Sequence, residues 1–156
     1  MSGFFRIFAL DMSKTASHYY NYELMKHING DTQMTDVWRL PAIAPWEKTC
    51  TKHPTQKPLG LLSRIIMAST EPGAWVLDPF AGSSTTGIAA NLVGRRYLGI
   101  ERERPFSEIS RNRRIEIDDF KVYSNYKSKI KDIAKMELFE PKSYFFKEDL
   151  INDLPF

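Results

Sequence analysis

The sequence predicts an α/β protein with a doubly wound, mainly parallel sheet. Three observations carry this. From Pro58 onward the order is helix, strand, loop, helix, strand, helix. The strand candidates are short apolar runs bounded by turn residues, and a glycine turn joins the first of them directly to a helix.

Each element has its own signal. Pro58 suits a helix start, and Leu59, Leu62 and Ile66 recur behind it at helical spacing, joined by Leu61 and Ile65. Glu71-Pro72-Gly73 stops that helix. Ala74-Trp75-Val76-Leu77 is an apolar run of the kind a buried parallel strand needs. Asp78 to Gly82 read as a loop, and Ser83 to Val93 as a helix with Ile88, Ala89 and Leu92 facing inward. Gly94 stands where a helix C-terminal glycine belongs. Tyr97-Leu98-Gly99-Ile100 is a second strand closed by Glu101, and Pro105 opens a helix through Phe106 and Ile109. A charged helix around Ile130 and Ile133 follows, then a candidate strand at Tyr144 to Phe146.

The chain divides by signal strength into residues 1–52, 53–120 and 121–156. The first segment reads as an irregular remnant of a preceding unit. It has one strand candidate, Phe4 to Leu10, then a polar stretch dotted with Tyr19, Tyr20, Tyr22 and Trp38 and a turn signal at Asn29-Gly30-Asp31. The second segment is the α/β core, and the third is a helix and tail.

A chain of 156 residues fits one domain. Twenty-two Lys and Arg against 19 Asp and Glu give a mildly basic balance of +3, which is compatible with nucleic acid without requiring it. Seven arginines and three glutamates crowd Arg95 to Arg114, and a lysine-rich stretch follows. On charge alone these are solvated helix faces. The single Cys50 excludes an internal disulfide framework, and His18, His27 and His53 lack metal-ligand spacing. No apolar run is long enough for a bilayer and the start has no signal-peptide pattern, so the expected location is cytoplasmic.

The centre of the chemistry is Val76 to Thr86. A buried strand ends in Asp78, passes through a tight turn at Gly82, and enters a helix through hydroxyl residues. In doubly wound folds ligands bind beyond the carboxyl ends of the strands, at such a crossing. Gly82 lets backbone approach a ligand closely. Nineteen residues later, at the end of the next strand, stands Glu101, at the spacing where an acid grips ribose hydroxyls. The bland alternative is a turn capped by Ser83 or Thr85, with Glu101 merely exposed.

The run Asp78-Pro79-Phe80-Ala81-Gly82-Ser83-Ser84-Thr85-Thr86 resembles the cofactor motif of the amino-methylating DNA methyltransferases, which form N6-methyladenine or N4-methylcytosine. The family's usual string is Asp-Pro-Phe-Xaa-Gly-Ser-Gly-Thr-Thr, so Ser84 stands in place of the second glycine. His53-Pro54-Thr55-Gln56-Lys57-Pro58 is similar to the family's other cofactor segment. Gly94 to Glu101 is similar to the stretch that ends in the ribose-binding acid, and Asp36 to Trp46 looks like the approach to the first segment. The resemblance covers roughly residues 35 to 118, with three motifs in family order.

It implies a partial, Rossmann-like S-adenosylmethionine-dependent methyltransferase fold, S-adenosylmethionine as cofactor and DNA as partner. It assigns Asp78, Pro79 and the backbone from Phe80 through Ala81 to Gly82 to the methionine amino group. Ser83, Ser84, Thr85 and Thr86 go to the methionine carboxylate, which suits the positive end of a helix. Lys57 is a second candidate beside that carboxylate, and Phe80 either packs on adenine or fills core. Glu101 accepts the ribose hydroxyls.

No catalytic residue is assigned. The family polarises the target amine with Asp, Asn or Ser followed by Pro-Pro and an aromatic, and no Pro-Pro dipeptide occurs in this chain. Asp153-Leu154-Pro155-Phe156 is the nearest imitation. The sequence therefore supports two readings. In one, the chain is the cofactor portion of a restriction–modification methyltransferase, completed by an N-terminal chain or by self-association. In the other, it is an inactive cofactor- or DNA-binding remnant serving in assembly. A dehydrogenase is disfavoured because no G-x-G-x-x-G turn exists.

Overall fold

The computed structural model describes residues 19–48 and 56–139. The strand candidates at Phe4–Leu10 and Tyr144–Phe146, His53 and the C-terminal Asp153 to Phe156 lie outside these. The described elements run α1 (Tyr22–Ile28), a 3-10 turn (Pro45–Glu47), α2 (Leu59–Ser69), β1 (Trp75–Asp78), α3 (Thr85–Leu92), β2 (Arg96–Gly99), α4 (Arg104–Glu116), α5 (Phe120–Lys129) and α6 (Lys131–Phe139).

β1 and β2 pair in parallel, with Trp75 opposite Arg96, Val76 opposite Tyr97, Leu77 opposite Leu98 and Asp78 opposite Gly99. Helix α3 is the crossover between them. Side chains alternate across a strand, so the register gives the sheet two different faces. Val76 and Tyr97 pack against the helical core. Trp75, Leu77 and Leu98 point the other way and stay exposed, as does Ile100 just beyond β2. A parallel sheet is ordinarily covered on both faces. Among the described residues, helices cover only one.

The core lies on that covered side. Leu59, Ile66 and Met67 of α2 interlock with Ile88, Ala89 and Leu92 of α3, and Ile133 and Met136 of α6 close the cluster. The small buried residues Ala89 and Ala90 lie in the same cluster as the α2 side chains. Helix α1 adds Leu24, Met25 and Ile28 to the same core, and its N-cap Asn21 accepts from the Leu24 amide at 3.2 Å. A helix of only seven residues leaves little periodicity to read, which is why this stretch looked like loop.

Two buried polar side chains hold the frame. Pro58 cannot cap α2 with its side chain, and the first helical amide, at Leu59, is met by Glu47 Oε2 at 2.7 Å. The other Glu47 oxygen accepts from the Ala44 amide at 3.2 Å. A carboxylate also suits the positive end of the helix. Arg95 donates through Nη2 to the Thr70 carbonyl at 2.8 Å and through Nε to Thr70 Oγ1 at 3.2 Å, tying the end of α2 to the turn before β2. The arginine-rich stretch is thus not wholly a solvated surface: Arg95 and Arg113 are buried. At the far end the charged helix is two helices, since Ile130 turns inward as the C-cap of α5.

Candidate functional site

The candidate residues gather where the crevice rule places them, beyond the carboxyl ends of β1 and β2. Asp78 is the last residue of β1, and its carbonyl accepts from the Ile100 amide at 2.9 Å. Its carboxylate Oδ1 accepts from the Phe80 amide at 3.1 Å, which folds the chain into a tight turn across Pro79. Ala81 then donates to the Ile100 carbonyl at 2.9 Å. These bonds lay the turn after β1 against the end of β2.

Glu101 completes the junction. Its Oε2 accepts from the Gly82 amide at 2.7 Å, and its Oε1 accepts from the Glu103 amide at 2.8 Å. One carboxylate thereby joins the two strand-end loops. Gly82 has φ +52°, in the left-handed region that glycine enters at no steric cost. Phe80 projects from the same turn with 87% of its surface exposed, so its ring is not core filling.

The hydroxyl residues divide. Ser83, Ser84 and Thr85 are buried, whereas Thr86 is half-buried. Arg113 of α4 explains the first group. Its Nη1 donates to the Ser83 carbonyl at 2.7 Å, to Ser83 Oγ at 3.2 Å and to Thr85 Oγ1 at 2.9 Å. Ser84 caps α3 with φ +56° and ψ +34° and makes no side-chain cap bond, which is the backbone of the glycine it replaces. Lys57 is exposed just before α2 and hydrogen-bonds no described residue. An open cleft of about 290 Å³ between α4 and β2 takes in Ser84 alone of the candidate residues, with Tyr97, Ser107, Ser110, Arg111 and Arg114.

Arg113 is the residue sequence reasoning missed. The signal was present: Ile109, Arg113 and Ile117 recur every fourth residue, so they share one helix face. Burial lowers the pKa of its guanidinium from the ordinary value, partly offset by Tyr126, Glu116 and Glu47.

The family model described as DNA methylase matches residues 8–112 of this chain. The chain belongs to the N6/N4 DNA methylase family. It is 57% identical over 114 residues to the type II methyltransferase M2.MboI of Moraxella bovis, covering 73% of this chain and 41% of that protein. It is 50% identical over 107 residues to M2.DpnII of Streptococcus pneumoniae, covering 69% of this chain and 40% of that methylase. The chain thus spans about two fifths of the length of the curated relatives it matches. Among solved structures, the M1.HpyAVI–SAM complex is 47% identical over 41% of this chain and 32% of its own, with a TM-score of 0.40. No helix among the described residues is long and apolar enough to cross a membrane.

Proposed function

We propose that this methylase-family chain is the cofactor-binding portion of a DNA methyltransferase of a restriction–modification system. The proposed reaction moves a methyl group from S-adenosylmethionine to an exocyclic base amine, adenine N6 ahead of cytosine N4. The observation that carries the reading is the Glu101 carboxylate set between the loops after β1 and β2, holding the Gly82 amide at 2.7 Å. That arrangement fits the cofactor. Glu101 would take the ribose hydroxyls, the exposed Phe80 ring would lie along the adenine, and the turn from Asp78 through Pro79 and Ala81 to Gly82 would take the amino end of the methionine. The amides at the start of α3, around Ser83, Ser84, Thr85 and Thr86, suit its carboxylate, with Lys57 as an additional cation. When bound, the cofactor supplies the methyl group. The chain's own residues bind and orient it.

Calorimetric titration with S-adenosylmethionine tests this. Saturable binding by the wild type, lost in Asp78→Ala and in Glu101→Ala, is the expected result. A well-folded wild type that binds nothing would instead favour the inactive remnant.

The bare sheet face supports the further proposal that the catalytic part of the domain packs there, supplied by a complementing N-terminal chain or by a second copy. Full burial of an aromatic or aliphatic side chain stabilises by roughly 1.5–3 kcal/mol, and Trp75, Leu77, Leu98 and Ile100 each keep about half that surface open. Sedimentation separates the two sources. A dimer that dissociates on Leu98→Asp indicates self-association, and a monomer that captures a separately expressed N-terminal methylase half indicates complementation. DNA is the proposed macromolecular substrate of the assembled form.

A further inference from the structure

Arg113 is a buried cation with no acid among the described residues in ion-pair contact with it. Only 2% of its surface is exposed, and among the described residues no carboxylate lies within ion-pair distance. Its Nε and Nη2 are buried without a hydrogen-bond partner. Glu116 and Glu47 offset this burial only from beyond ion-pair distance, and desolvating a charge without a close counter-ion is costly. A neutral donor would serve the Ser83 carbonyl and the Ser83 and Thr85 hydroxyls nearly as well, so hydrogen bonding alone does not explain a guanidinium here.

The position suggests what the charge does. Ser83, Ser84 and Thr85 form the N-terminus of α3, where unpaired amides and the helix dipole already favour an anion. Arg113 stands behind that turn, hidden from solvent, where a charge is little screened by water or salt. We propose that Arg113 is a positioning residue that makes the α3 N-terminus selective for the carboxylate of the cofactor's amino-acid end, acting through the Ser83–Thr85 segment and not by direct contact. This rests on the cofactor reading above.

Two ligands that differ only in the amino-acid end isolate the effect: S-adenosylhomocysteine carries it and 5′-methylthioadenosine does not. Both are titrated calorimetrically into the wild type, R113Q and R113K. In R113Q the S-adenosylhomocysteine affinity is expected to fall about tenfold, or about 1.4 kcal/mol. Methylthioadenosine affinity should stay within about twofold, and R113K should keep most of the wild-type ratio between the ligands. Equal losses for both ligands, or no loss for either, would overturn the proposal and leave Arg113 as a brace. If R113Q fails to fold by circular dichroism, R113K decides: a retained ratio supports the charge, and a collapsed ratio overturns it. A folded wild type that binds neither ligand would overturn the cofactor reading itself, a result distinct from equal losses in the variants.

Discussion

Gly82 and Glu101 are joined at 2.7 Å across nineteen residues, amide to carboxylate, at the carboxyl ends of the two parallel strands. The same carboxylate receives the Glu103 amide at 2.8 Å. An acid that looks like a ligand-binding group in sequence is therefore also a structural clasp. Each of its oxygens accepts one amide. The clasp fixes the Glu101 carboxylate between the two loops.

Glu101→Gln separates the two amide bonds. The amide side chain has one oxygen, so either Gly82 or Glu103 loses its acceptor. Hydrogen bonds to a charged group contribute about 1.5–3 kcal/mol, and this site is half-exposed, so a loss near the lower end is expected. Amide hydrogen exchange checks it: exchange at Gly82 or Glu103 should accelerate, while Leu92 in the core should change only with global stability. Unchanged exchange at both loop amides would contradict the clasp.

Ser84 sits in the left-handed region at φ +56°, the conformation for which the family's usual string supplies glycine. A non-glycine residue there costs roughly 1–2 kcal/mol, and glycine gives back part of that through greater freedom in the unfolded chain. Ser84→Gly should therefore stabilise by about 0.5–1 kcal/mol, raising Tm by roughly 1–4 °C in a chain of this size. A scanning-calorimetry melt that moves downward would show that the buried hydroxyl contributes more than the backbone strain removes.

The strongest local patterns were legible. The apolar run at Ala74–Leu77 and the glycine at Gly94 (φ +71°) gave β1, α3 and the crossover to within two residues, because turn chemistry and burial act there together. That the loop Asp78 to Gly82 and the acid Glu101 lie side by side was legible because the spacing of the strands constrains where their ends meet. What escaped depends on contacts far apart in sequence. Nothing local to Glu47 announces that it caps Leu59, and Arg113 lies in a run of charges whose neighbours Arg111 and Arg114 are exposed. The sheet reads as buried in sequence because the runs Ala74–Leu77 and Tyr97–Ile100 are mostly apolar. Among the described residues, one of its faces is nevertheless left uncovered.

Two glycines with opposite surroundings give a paired prediction. A β-carbon at Gly87 would lie 2.6 Å from Ser84 Oγ and 2.6 Å from the Tyr97 ring, whereas one at Gly60 would meet nothing within 4 Å. Gly87→Ala must displace a buried aromatic or the helix, at about 1–3 kcal/mol. Gly60→Ala adds helix propensity without a clash and should stabilise by about 0.5–1 kcal/mol. Urea denaturation should place the two midpoints on opposite sides of the wild type. A Gly87→Ala midpoint at or above wild type would mean that Tyr97 is not wedged against α3.

Alkaline stability follows from the buried phenols. Tyr97 and Tyr126 have pKa values raised above the ordinary 10.0, in both cases first by burial, which disfavours the phenolate, and then by nearby acids, Asp78 for Tyr97 and Glu116 for Tyr126. Arg113 partly offsets the rise at Tyr126, and the nearby Ser84 side chain partly offsets it at Tyr97. The sign is fixed by linkage. The unfolded phenols lose their protons near pH 10 and the folded ones later, so above pH 10 the folded state binds more protons and stability falls with rising pH. Stability tied to these groups is fully present below pH 10 and is lost as the pH climbs through the folded values. Absorbance of tyrosinate should show late-titrating phenols in the native protein. Tyr126→Phe should flatten the decline in denaturant midpoint above pH 10, on the side opened by the raised pKa. A decline of unchanged slope in both Tyr97→Phe and Tyr126→Phe would place the alkaline sensitivity elsewhere.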